Sequence, residues 1–224
     1  MNDKKDQYVT SFQAAMLILN IIAVGLICGF IYVTTNRILA HYDARTFLDN
    51  VVTIPVNPRE NLIVCMGMML VLVVTFAVRQ VCQQEHSRLT VCTLAVDAFV
   101  CVSLVVQMDF NYNGLLLLVF ANVIAYVKDG KVKIFFVAMA IAGYLVADYE
   151  LLSIYNPLYS VSDYIRYYPS NTQQYLFSIY NVIISLNIIL FIVYCVYVIN
   201  AQRGTIEEVN QLYHELQTAN EQLK

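Results

Sequence analysis

The sequence predicts an all-α, polytopic membrane helix bundle of six transmembrane helices, followed by a cytoplasmic coiled-coil helix. Three observations predict it. The 224 residues are 59% hydrophobic and only 13% charged, with a mean hydropathy of +0.62, well outside the range of a soluble domain. Six apolar runs, at 13–35, 61–78, 89–107, 110–127, 132–147 and 175–199, each approach or exceed the ~20 helical residues a bilayer demands. After the last run, apolar residues recur at heptad spacing up to the C-terminal end. The expected organisation is a cytoplasmic tail at 1–12, a six-span transmembrane domain at 13–199 and a cytoplasmic helix at 200–224.

The first run follows Lys4 and Lys5, as a signal peptide would. It is too long for one and lacks a small-x-small cleavage site, so it is expected to stay as an uncleaved anchor. Runs four and five are the shortest. Folding them as a re-entrant hairpin would carry Lys128, Lys131 and Lys133 to mid-membrane, at ~2.5–3.5 kcal/mol each, so two full spans are expected. The stretch Asp-Phe-Asn-Tyr-Asn-Gly at 109–114 is expected to form a fixed cap at the outer end of the fourth span.

Basic residues set the orientation. With the N-terminus inside, the inner segments carry Lys4, Lys5, Arg79, Arg88, Lys128, Lys131, Lys133 and Arg203. The outer segments carry only Arg37, Arg45, Arg59 and Arg166. The excess predicts both termini in the cytoplasm and the lipid bilayer as the first partner. The outer loop at 148–174 is rich in tyrosine. Amphipathic rings suit an aromatic belt at headgroup level, and Tyr164, Tyr167 and Tyr168 could equally line an outer ligand surface; composition leaves both open.

Asp97 is the only acid inside any of the six runs, near the middle of the third. An ionisable group there must be paired, hydrated or neutral, and such groups are functional suspects. The expectation is a neutral carboxyl hydrogen-bonded across a helix interface, with Asn20, Asn122, Asn181 and Asn187 as candidate partners. The six cysteines show no Cys-x-x-Cys spacing and read as small hydrophobes, while His41, His86 and His214 are too scattered to ligate haem or zinc. Phosphate loops, nucleophile elbows and paired carboxylates are missing from the sequence, which predicts no catalytic residue, cofactor or metal in this chain.

Ile206, Val209, Tyr213, Leu216, Asn220 and Leu223 follow at steps of 3, 4, 3, 4 and 3, as the a/d seam of a parallel two-stranded coil. Glu207, Glu208, Gln211, Glu215, Gln217 and Glu221 occupy the other faces. The seam predicts a homodimer whose register Asn220 sets, and a helix that passes a shift or rotation from the bundle to an output module beyond Lys224.

A multi-pass region followed by a helix reading Glu-Leu-Gln-Thr-Ala-Asn-Glu-Gln-Leu-Lys at 215–224 resembles the membrane sensor half of bacterial sensor histidine kinases, the DesK-like group in particular. That resemblance implies a place in the bacterial inner membrane, a downstream kinase domain using ATP and Mg²⁺, and a response regulator as partner. His214 lacks the phosphoacceptor context and takes no such role. Linkers of this kind also precede diguanylate cyclase modules. Two other classes compete: a small-molecule permease or substrate-binding membrane subunit of a vitamin transporter, and a structural scaffold. Transport subunits do not require a pairing heptad, and their sites favour Gly/Pro-interrupted spans, which the sequence does not display. Nucleic acid is not an expected partner.

Overall fold

Long apolar stretches with few Pro or Gly leave the backbone only itself to bond with in lipid, and helices result. The computed structural model describes residues 2–40, 58–82, 87–127, 130–148, 161–165 and 168–222. Among these the regular elements are helices: α1 (Asn2–Ala40), α2 (Pro58–Cys82), α3 (Ser87–Gln107), α4 (Gly114–Tyr126), α5 (Gly130–Asp148), α6 (Val161–Ile165) and α7 (Ser170–Gln222).

Among the described residues, four stretches are long and apolar enough to cross a membrane: Tyr8–Arg37, Arg59–Val81, Leu89–Gln107 and Ser170–Ala201. The other two predicted runs fall on α4 and α5. The 19 residues of α5 cover the whole of the predicted 132–147 run. The 13 residues of α4 make a helix about 20 Å long, against a hydrocarbon core of about 30 Å.

Why α4 is short is clear from its surroundings. It is apolar all round, and every residue from Gly114 to Val123 is buried, as expected of a helix with no outward face. It packs against α1, α3, α5 and α7, while α1 also packs on α2 and α7, so α4 is the axis of the bundle. Met16, Cys65, Leu104, Met108, Leu115, Ala121 and Tyr194 are fully buried around it. The outward faces of α2, α3 and α7 carry exposed apolar side chains, among them Leu70, Phe99 and Ile189. That inside-out pattern fits a membrane protein.

Residues 108–113 end α3 and start α4, where a cap was expected. Asp109 and Phe110 both have left-handed backbones, at φ 52° and 59°, which non-glycine residues seldom adopt. The turn satisfies the last carbonyls of α3. Phe110 N–H donates to Val105 O at 2.9 Å, Asp109 N–H to Val106 O at 3.0 Å and Asn111 N–H to Met108 O at 3.0 Å. Asn111 then fastens the turn to later elements. Its Oδ1 accepts from Val161 N–H at 2.6 Å, and its carbonyl accepts from Tyr180 OH at 2.6 Å.

One helix, α7, continues from Ser170 through the apolar stretch and on through the heptad to Gln222. Val209 and Tyr213 of the seam are 58% and 66% exposed. Ile206, Leu216 and Asn220 share the same helix, and Leu223 lies outside the described residues. Of the predicted loop at 148–174, Asp148, α6 and residues 168–174 are among the described residues, and Tyr167 is not.

Candidate functional site

Positions four apart on a helix share a face, so Thr75 and Arg79 on α2, and Asn122 and Tyr126 on α4, project side by side. They converge on Asp97 of α3. Arg79 and Asp97 are 3% and 2% exposed, and Arg79 Nη1 lies 2.6 Å from Asp97 Oδ2. Thr75 Oγ1 bonds Asp97 Oδ1, and Asn122 Nδ2 donates to Asp97 Oδ2 at 3.2 Å. The ring of Tyr126 lies under the Arg79 guanidinium at 5.6 Å. Arg79 Nε finds no hydrogen-bond partner among the described residues, so charge and the ring face hold the guanidinium rather than a two-pronged fork.

From Asn122 the network crosses to α1. Gln13 Nε2 donates to Asn122 Oδ1 at 3.3 Å, and Gln13 Oε1 accepts from Tyr126 OH at 3.1 Å. Gln80 Nε2 donates to Tyr126 OH at 2.9 Å, and its Oε1 accepts from Thr10 at 3.4 Å. Four helices thus meet at one buried ion pair. Separating its members would leave a charge uncompensated at ~3–5 kcal/mol, so the cluster clamps the helices and provides one place where a change of charge would loosen them together.

A second polar cluster sits midway along the long helices. Asn20 lies 12 residues after Tyr8 and 17 before Arg37, and Asn187 lies 17 after Ser170 and 14 before Ala201. Tyr112 OH donates to Asn20 Oδ1 at 2.9 Å and accepts from Asn187 Nδ2 at 2.7 Å. Gly114 opens α4 here because nothing larger fits: a Cβ would fall 2.2 Å from Asn187 Nδ2 and 2.6 Å from the Tyr112 ring. So α4 begins about halfway along α7, directly after a non-helical turn. The helix starts four residues later than the predicted 110–127 run, because the turn at 108–113 takes up the run's beginning.

The sequence identified Asp97 but not its principal partner. Its apolar run stops at 78 because Arg79 is charged, and Arg79 then counted toward the cytoplasmic surface; in the fold α2 continues to Cys82 and Arg79 is buried. Besides the hydrogen bond across a helix interface that was expected, Asp97 has an arginine at 2.6 Å, a partner the sequence reading did not name. Of the asparagines named as partners, Asn122 takes that role. Asn20 and Asn187 join Tyr112 instead, and Asn181 faces outward on α7.

In α6, Tyr164 is 1% exposed and meets Phe30 edge-on, so it packs in the core rather than lining an open surface. Tyr168 bonds Thr34 Oγ1 at 2.9 Å and carries the Arg37 guanidinium over its ring at 5.6 Å. Both tyrosines dock the loop onto α1. No protein-family model, curated protein or solved structure matches the chain.

Proposed function

We propose that this chain is the membrane-embedded sensor and signal-transmission module of a bacterial two-component-type histidine kinase, acting as a homodimer with both termini in the cytoplasm. The observation that carries it is the continuity of α7. One helix bears Tyr180 and Asn187 in the turn and mid-span contacts, Tyr194 with its OH on Ala121 O at 2.8 Å, and exposed Val209 and Tyr213 at heptad spacing. Any rearrangement around α4 therefore moves the seam. In this reading α4 and α5 complete six spans, and the shortness of α4 suits a cue of lipid kind, because a helix below the hydrocarbon thickness responds to mismatch. The Asp97–Arg79 clamp is the fixed part against which α7 moves. By resemblance the output is a kinase domain using ATP and Mg²⁺, paired with a response regulator; a diguanylate cyclase would read the same helix motion.

The test is rotational. A histidine kinase catalytic core is fused after Lys224, and one or seven alanines are inserted after Arg203. One residue turns the seam by about 100°, and seven restore its phase. Phosphotransfer in membranes should change with one and return with seven. Identical output from all three proteins would remove the transmitter reading.

A second reading, the substrate-binding membrane subunit of a transporter, has one observation in its favour: the break before α4 beside the Asn20–Tyr112–Asn187 cluster, since discontinuous helices line transport sites. Phase-dependent output in the fusion would weigh against it.

A further inference from the structure

Traced backwards from Ile206 in the same steps of 3 and 4, the seam passes Gln202 and enters the apolar stretch at Ile199, Cys195, Ile192, Ile188, Ser185 and Asn181. None of these six is buried. Ile199 and Ile192 are 50% and 54% exposed, Ser185 and Asn181 are exposed, and Cys195 and Ile188 are half-buried. The buried stripe of the same helix, Ile183, Asn187, Tyr194 and Val198, points elsewhere. Ser185 is central in Ser170–Ala201, and Asn181 lies one turn above it. An amide facing hydrocarbon at that depth has nothing to bond with, and it is stabilised only where another helix supplies a partner.

We propose that a second copy of this chain covers this stripe, so that the two α7 helices pair in parallel from Asn181 to the cytoplasmic heptad as one continuous seam. The occupant is a second copy because a two-fold axis along the seam brings each Asn181 opposite its equivalent, where each amide can donate and accept. Small Ser185 one turn below lets the backbones approach. The proposal rests on the dimeric reading above and adds the membrane half of the interface. A competing face exists on α1, where Gly25 and Gly29 both open onto empty space four residues apart. That face does not lead into the heptad.

Single cysteines are placed in the full chain with its native cysteines replaced by alanine, in native membranes, and oxidative cross-linking is measured. Ser185→Cys, Ile192→Cys and Ile199→Cys should cross-link several-fold more than the equally exposed Val182→Cys, Leu186→Cys and Val193→Cys. Strong cross-links at Val209→Cys and Tyr213→Cys with none on the membrane stripe would overturn this inference and leave the transmitter reading intact. Cross-links on the stripe without those at 209 and 213 would confine pairing to the membrane, overturning the continuous seam and removing the transmitter. Stronger products at Ile22→Cys and Leu26→Cys would assign the interface to α1 and overturn it. Should the cysteine-free chain fail to fold, Asn181→Leu in the otherwise unaltered chain is measured by energy transfer between C-terminal labels in lipid. The variant should dimerise about threefold to tenfold more weakly; unchanged or stronger dimerisation would overturn the inference.

Discussion

At the scale of single residues, the buried Asp97–Arg79 pair dominates. Asp97→Leu leaves the Arg79 guanidinium without its counter-charge, at a cost of about 3–5 kcal/mol, and Asp97→Asn keeps the bond geometry but loses the charge. Arg79→Met combined with Asp97→Leu removes both charges and should recover much of the loss. Thermal unfolding in detergent measures this. Additive single losses would mean that the two side chains act independently. A second titratable residue sits in the turn beyond α3, where burial pushes the Asp109 carboxyl up to about 6 from its ordinary value of 3.8. The folded turn thus favours the protonated acid. Stability should fall as pH rises from about 4 to about 6, and the penalty is fully present above that, below a ceiling of about 3 kcal/mol because solvent screens the partly exposed carboxyl. Asp109→Asn stays at ease in a left-handed backbone and should unfold at a temperature that hardly changes between pH 5 and 7.5, unlike the native chain. Asp97 was legible as a suspect because a lone acid in an apolar run is conspicuous. Arg79 was not, because a charge next to the end of a run reads as the end of the membrane, and only tertiary packing reveals it inside.

Elements were legible in proportion to their length. The runs that became α1, α2, α3 and the membrane part of α7 are long, uniform and bounded by charges, so hydropathy alone located them. What it could not find was the start of α4. The runs stop at 107 and resume at 110, close to the observed break, but that the helix waits until Gly114 follows from hydrogen bonds that Val161 and Tyr180, distant in the chain, make to the turn at 108–113. Gly114 is the local sign of that break, and it yields an element-scale test. Gly114→Ala drives a methyl into Asn187 and Tyr112 and should destabilise by about 1–3 kcal/mol, despite the better helix propensity of alanine. Gly143→Ala in α5 meets only Leu116 at 3.9 Å and should be neutral or slightly stabilising. Equal unfolding temperatures for the two variants would mean that the α4 start is looser than its contacts indicate.

For the whole molecule the question is which side each end occupies. The polar chain Thr10–Gln80–Tyr126–Gln13 ties the beginning of α1, the end of α2 and the end of α4 to one level, so the connection after Tyr126 emerges beside the N-terminal segment. Lys128, Lys131 and Lys133 lie in or next to that connection, and Lys4 and Lys5 precede α1's apolar stretch, so the basic residues of both places fall at one end of the bundle, which is the end predicted to be cytoplasmic. The tie is independent of whether α4 spans the full bilayer, because only its C-terminal end enters it. In intact cells, with cysteine-free chains carrying one new thiol, an impermeant maleimide should label Asn36→Cys at the exposed outer end of α1 and leave Gly130→Cys untouched until the cells are opened. Equal labelling of the two from outside would invert the connection, and with it the side on which the heptad of α7 could meet a cytoplasmic output.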